Sequence, residues 1–246
     1  MKEYTAIIGG TGLTELSELV NPIQQTVHTE LGDVVVTKAT WCDRPVIFLP
    51  RHGHPHKVPP HKINYRANIL ALSQLGVGQI LAVNAVGGIS QKITPNTLCL
   101  PNQIIDYTYG REATYFDGEF RPLDHIDFSH PYDEAMRDKL HSVARSLGIQ
   151  CEMGGVYGAT QGPRLETAAE VARMARDGCD LVGMTGMPEA ALARELSIPY
   201  ASICLVVNAA AGLTEEAISM DQIRQVLHSG MEQVCGIIKH YLQPHS

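Results

Sequence analysis

The sequence predicts a single α/β domain over residues 1–246, with a mixed, mostly parallel central sheet flanked by helices. Short apolar runs rich in Val and Ile alternate with segments of helical period along the whole chain. Glycine-bearing turns follow several of those runs directly. No repeat, linker or low-complexity tract interrupts the alternation, and 246 residues suffice for one well-buried core.

Taken in order, Tyr4–Gly9, Asp33–Ala39 and Pro45–Pro50 read as the first strands. Asn64–Leu75 has helical apolar spacing and stops at Gly76. Gln79–Asn84 is a short buried strand leading into Gly87-Gly88, and Leu98–Asp106 reads as another strand. Residues 107–131 are polar, aromatic and irregular, a long loop. After it come helix Tyr132–Leu147, strand Met153–Ala159, helix Thr167–Arg176, strand Asp180–Met184, helix Pro188–Leu196, strand Tyr200–Val207 and a last helix over Asp221–Tyr241. Strands buried on both faces by helices carry function in the loops at their ends.

Composition excludes several classes. A hydrophobic fraction of 44% with 18% charged residues is ordinary globular usage. No apolar run approaches the ~20 residues that span a bilayer, and the chain enters a strand straight after Met1-Lys2-Glu3, which gives no secretory signal. Six scattered cysteines without a CxxC pair read as reduced core thiols, so a cytoplasmic location is expected. The net charge of -7 argues against nucleic-acid or membrane-surface binding. Within that acidic chain, the stretch from Arg44 through Ile105 holds no Asp or Glu but carries Arg44, Arg51, Lys57, Lys62, Arg66 and Lys92. An anion site with no competing carboxylate is the reading of that stretch.

The loops agree with it. Gly9-Gly10-Thr11-Gly12 follows the first strand and offers backbone N–H groups, with the Thr11 hydroxyl, to an anion. A dinucleotide-binding turn, and with it an NAD-dependent oxidoreductase, is disfavoured. Glu15 stands where that pattern puts its third glycine, and Asp33 precedes its strand instead of ending it. Arg51-His52 at a strand end suits a phosphate oxyanion. The alternation His52, His54, His56 invites a metal, but Arg51 and Lys57 would repel a cation, and His54 and His56 read as exposed loop residues. Asn84-Ala85 and Met184-Thr185 end further strands, the latter beside a helix N-terminus that favours anions.

Ile7-Ile8-Gly9-Gly10-Thr11-Gly12-Leu13, Arg51-His52-Gly53, Asn64-Tyr65-Arg66-Ala67-Asn68-Ile69, Gln161-Gly162-Pro163-Arg164 and Met184-Thr185 with Pro188-Glu189 together resemble the trimeric purine nucleoside phosphorylases, in particular their methylthioadenosine phosphorylase branch. The resemblance runs from residue 7 to about 221. It implies phosphorolysis, in which orthophosphate attacks C1′ of a nucleoside, and a homotrimer with sites shared between neighbours. It implies neither metal nor organic cofactor. Matched position by position, it makes Thr11, Arg51, His52, the Ala85 amide and Thr185 the phosphate ligands, with Met184 against the ribose.

Departures from the branch choose the substrate. Asn208 and Ala210 stand where methylthioadenosine phosphorylases have two Asp, and Glu166, after Leu165, stands where they have Ser. A Glu carboxylate accepts from N1–H of a 6-oxopurine and opposes the N1 lone pair of adenine; an Asn amide donates to O6 while its carbonyl accepts from a protonated N7. Asn208 and His52 are the catalytic candidates. Met220 is apolar where inosine and guanosine phosphorylases place a histidine for the 5′-hydroxyl, which suits a methylthio group. Ile237, Ile238 and Leu242 are candidates for the far wall of that pocket, and His125 in Asp124-His125-Ile126 for a contact lent by a neighbouring subunit. 5′-Methylthioinosine is the expected substrate; methylthioadenosine and inosine or guanosine are the alternatives, and a binding protein that has lost catalysis is a more distant one.

Overall fold

The computed structural model describes residues 4–215 and 219–243; Met1-Lys2-Glu3, and Ala217-Ile218 of the segment before Met220, lie outside them. Strands β1 (Tyr4–Gly9), β4 (Arg44–Pro50), β5 (Val77–Gly88) and β11 (Tyr200–Ala209) form the centre of one mixed sheet. β1 lies parallel between β4 and β5, and β11 runs parallel along the other edge of β5.

Alternation along these strands feeds two cores. Ile7, Val46, Phe48, Leu81 and Ile203 face helices α2 (Glu134–Ser146) and α5 (Met220–Leu242), while Ala6, Ile8, Ile47, Leu49 and Ile80 face α1 (Tyr65–Gln74) and α4 (Gly186–Glu195). Both faces of each strand are therefore apolar, which is why these strands were legible as near-continuous hydrophobic runs. Four helix starts are capped from the side chain: Asn64, Asp133, Thr167 and Ser219 accept from Ala67, Met136, Glu170 and Gln222 N–H, the third opening α3 (Ala168–Asp177) in a capping box. No helix among the described residues is long and apolar enough to cross a membrane.

Several expectations need correction. A strand unread in the sequence, β2 (Val20–Thr29), pairs antiparallel with β3 (Gly32–Trp41) at the sheet edge. Only Val27 of β2 is buried, so its sequence carries no alternation. The strand expected over Leu98–Asp106 is two, β6 (Leu98–Leu100) against β11 and β8, and β7 (Gln103–Asp106) against β9, separated by Pro101-Asn102. Likewise Met153–Ala159 divides at Gly154-Gly155, both at positive φ, into the end of β8 (Cys151–Met153) and β9 (Val156–Ala159). The irregular stretch 107–131 is pinned by Tyr115, which is fully buried and donates its hydroxyl to Arg66 O, and by Glu195, which accepts from Thr114 and the Tyr115 N–H.

Gly9, at the end of β1, shows how tightly the first loop is folded. A Cβ there would press on the Leu13 carbonyl and lie 2.8 Å from the Phe48 ring. Gly9→Ala is expected to cost about 1–3 kcal/mol of stability as the loop shifts to relieve overpacking. Urea unfolding measures it, and a change within error would show the loop to be slack.

Candidate active site

β5 outruns β1. The two pair as far as Ile8↔Ala82, and β10 (Leu181–Gly183) takes up the same edge, running the opposite way, at Gly87 and Gly88. β11 fills the other edge. From Val83 to Ala85 the first edge is thus left without a strand partner, and the chain ends of β1, β4 and β10 converge on the opening. An open cleft of about 200 Å³ lies there. It brings together Thr11, Arg51, His52, Ala85 and Thr185 with Leu165, Glu166, Met184, Asn208, Ala210 and Met220, residues drawn from seven separate segments.

Arg51, 2% exposed, is built in by its own chemistry. Its Nε and Nη2 donate to Glu189 at 2.6 and 2.8 Å, and Nη1 donates to Val83 O at 3.1 Å. Tyr200 Oη donates to the same carboxylate at 2.9 Å. Burial opposes the guanidinium charge, but Glu189 outweighs it, and the pKa is held above its usual value. The acid-free stretch of sequence therefore does not give an acid-free site, because α4 returns a carboxylate from 138 positions away. Three of the five donors of the guanidinium are engaged, which leaves two for a ligand. Val83 O faces the opening, and backbone alternation directs the Ala85 N–H to the same side.

His52 shares a hydrogen with Val58 O at 2.8 Å through Nδ1, so in the neutral ring Nδ1 donates and Nε2 keeps its lone pair. Burial, and then the Arg51 and His56 charges, hold its pKa down at about 4 despite that bond. His56, read in the sequence as a loop residue, is indeed exposed, yet its ring stacks on His52 with centroids 4.2 Å apart and its Nε2 lies 3.3 Å from Thr11 Oγ1. Thr185 Oγ1 donates to Asn84 Oδ1 at 2.8 Å, and Asn84 Nδ2 donates to Ser202 Oγ at 2.7 Å. The helix N-terminus expected to favour an anion is otherwise occupied: the Thr185 and Gly186 N–H groups point to Tyr157 Oη at 3.4 and 3.3 Å.

Farther along the cleft, a bulge in β11 sets Val206 against Val86 and Asn208 against Gly87, so one extra residue re-aims Asn208. Asn208 Nδ2 donates to Ala209 O at 2.7 Å. Glu166 Oε1 accepts from Thr160 Oγ1 at 2.6 Å. Arg111, which sequence reasoning missed, ties this region together: it donates to the carbonyls of Thr160, Gln161, Met184 and Met187 and to Gln161 Oε1, over distances of 2.6 to 3.1 Å. Its place in an irregular loop gave no signal in the sequence.

Met220 lies at the lip, 56% exposed at the start of α5, with Ile223 three residues on also lining the cleft. Ile237, Ile238 and Leu242, expected at this wall, are packed in the core between α5 and the sheet instead, because the apolar stripe of α5 faces inward. His125 is exposed and outside the cleft of its own chain.

The buried Arg51–Glu189 pair and the neutral His52 each give a measurable consequence. Glu189→Gln removes one partner of a desolvated pair and should cost about 3–5 kcal/mol in urea unfolding; a cost below 1 kcal/mol would contradict the pairing. His52 titrates near 4 folded and near 6.5 unfolded. Its contribution is complete above pH 6.5 and is lost as pH falls to about 4, on the order of 3 kcal/mol. His52→Gln should therefore lose less stability than the parent protein between pH 6.5 and 4, and equal losses would count against a neutral buried ring.

The chain matches the family model described as "Phosphorylase superfamily" over residues 4–243. It is 51% identical over 233 residues to a probable S-methyl-5′-thioinosine phosphorylase of Pseudomonas syringae pv. tomato, covering 93% of this chain and 94% of the relative. It is 41% identical over 238 residues to a 6-oxopurine nucleoside phosphorylase of Pyrococcus furiosus, covering 95% and 89%. Methylthioadenosine phosphorylase from Schistosoma mansoni in complex with adenine superposes with a TM-score of 0.92 at 30% identity, covering 98% and 91%. With a family match over nearly its whole length and such relatives along it, the chain belongs to the phosphorylase superfamily.

Proposed function

We propose that this protein phosphorolyses 5′-methylthioinosine, releasing hypoxanthine and 5-methylthioribose 1-phosphate. The observation that carries the reading is the single cleft that holds the oxyanion donors, Glu166 with Asn208, and Met220 with Ile223. The Thr11 and Thr185 hydroxyls, Arg51 and the Ala85 amide donate to orthophosphate, while His52 Nε2 accepts from its P–OH; orthophosphate is a co-substrate, and no metal or organic cofactor takes part. Met184 packs against the ribose and Leu165 against the base. Phosphate attacks C1′ as the glycosidic bond breaks, and the bound dianion stabilises the oxocarbenium-like sugar across a short gap. N7 of the departing base takes up a proton from solvent, matched by the P–OH proton that the phosphate gives up as the ester forms, and Asn208 Oδ1 accepts from that N7–H, so negative charge does not build on the base. For Thr185 to donate to phosphate, its hydroxyl turns from Asn84, whose amide accepts that change by exchanging Oδ1 for Nδ2.

Base selectivity follows from Glu166, which accepts from N1–H of hypoxanthine and faces a lone pair on adenine. Two relatives carry names on the same side of that choice: one is named as a probable methylthioinosine phosphorylase and another for 6-oxopurine nucleosides. The reading further places the protein in the cytoplasm as a homotrimer, with His125 reaching a neighbour's sugar end.

The test is kcat/KM for methylthioinosine, methylthioadenosine, inosine and guanosine at fixed phosphate. A mismatched polar pair should separate methylthioinosine from methylthioadenosine by about 10⁴-fold or more, whereas an apolar wall rejects the 5′-hydroxyl of inosine by only about 10–100-fold. Preference for methylthioadenosine would overturn the base assignment, and preference for inosine the assignment of Met220. Glu166→Ser with Asn208→Asp should move activity toward the 6-amino substrate; unchanged selectivity would remove both residues from base recognition.

A further inference from the structure

We propose that Thr160 is a positioning residue that sets base selectivity by holding the Glu166 carboxylate from behind; this rests on the 6-oxopurine reading above. Thr160 follows β9 directly and extends its pairing with β10 by one rung, its N–H donating to Gly183 O at 2.8 Å. Its own carbonyl accepts from Arg111 Nη2 at 3.1 Å. With the backbone fixed on both sides, the hydroxyl is delivered to Glu166 Oε1 at 2.6 Å, a length typical of a donor to an ionised carboxylate. The longer approach of the same hydroxyl to Gly183 O, 3.3 Å, does not compete for its single hydrogen.

Two further observations make this bond matter. Glu166 stands on an irregular stretch between β9 and α3, half-buried, where no element fixes its rotamer. The cation nearest in sequence, Arg164, does not fix it either, because both its terminal nitrogens donate to Glu170, at 2.7 and 2.8 Å. Glu166 also lies in the wall between the cleft and a second groove, and Thr160 lines that second groove with Tyr107 and Gln161 but not the cleft. Thr160 therefore reaches the carboxylate on the side away from a bound base and leaves the cleft side free.

The chemistry has a direction. A hydroxyl donor stabilises the ionised carboxylate more than the neutral acid, since charge-assisted bonds are about twice as strong. The ionised form is the one that accepts from N1–H of a 6-oxopurine. A 6-aminopurine offers a lone pair at N1, which faces the carboxylate oxygen without a hydrogen between them. Thr160 thus favours the first class of base and penalises the second without touching either.

The experiment compares the parent protein with Thr160→Val and Thr160→Ser on methylthioinosine and methylthioadenosine, with KM for phosphate measured alongside. Thr160→Val should lower kcat/KM for methylthioinosine about tenfold or more, leave methylthioadenosine unchanged or improved, and leave KM for phosphate unchanged; Thr160→Ser, which keeps the hydroxyl, should restore the selectivity ratio. Equal losses on both substrates, or a ratio in Thr160→Ser no better than in Thr160→Val, would overturn the assignment and reduce Thr160 to a packing residue. A parent protein that prefers methylthioadenosine fails the base reading itself before any variant is compared, so the two failures are told apart.

Discussion

The buried pair of Arg51 and Glu189 is the interaction on which the site depends. It joins the end of β4 to α4 across 138 positions, takes a third donor from Tyr200, and lets Arg51 lean on Val83 where β5 has no strand partner. A lone guanidinium at this depth would be costly to desolvate, and a lone carboxylate more so. Together they hold the guanidinium in one orientation beneath the gap. With Glu189 compensating Arg51 and His52 kept neutral, the opening presents directed hydrogen-bonding groups more than net positive charge. That arrangement favours geometry over sheer affinity, which suits an anion that must react and leave as part of a product.

The gap itself is a property of the sheet. β5 is flanked first by β1 and then by the oppositely directed β10, and neither covers the middle. Three strand ends and their small-residue loops meet at that opening, so Thr11, Arg51, His52 and Thr185 are set directly after the strands of the central sheet. The bulge in β11 shifts Asn208 relative to the core residues before it, which lets one strand serve both the hydrophobic interior and the cleft. Arg111 then binds the segments at Thr160-Gln161 and Met184–Met187 to each other through their backbone carbonyl oxygens.

Much of this was legible in the sequence, and the reasons are physical. Central strands buried on both faces announce themselves as apolar runs, and glycine turns mark their ends, so Tyr4–Gly9 and its loop were readable to the residue. β2 was not, because an edge strand with one buried side chain has no pattern to read. Thr11, Arg51, His52, Ala85 and Thr185 were found at strand ends and the other cleft residues through the family resemblance; His125, Ile237, Ile238 and Leu242 are the ones that do not line the cleft. Their partners were hidden, since Glu189, Asn84, Tyr157 and Arg111 meet the site only through tertiary contacts that no local spacing encodes. Ile237, Ile238 and Leu242 were misplaced for a related reason: an apolar stripe on the last helix looks the same whether it lines a pocket or fills a core.

The central claim is that this cleft transfers a sugar from a base to phosphate. It is tested most directly by following methylthioinosine with the protein by ³¹P nuclear magnetic resonance while hypoxanthine is measured in the same sample. The account predicts one sugar phosphate formed for each hypoxanthine released, and no release when phosphate is left out. Hypoxanthine appearing without phosphate, or without a matching phosphate ester, would contradict it.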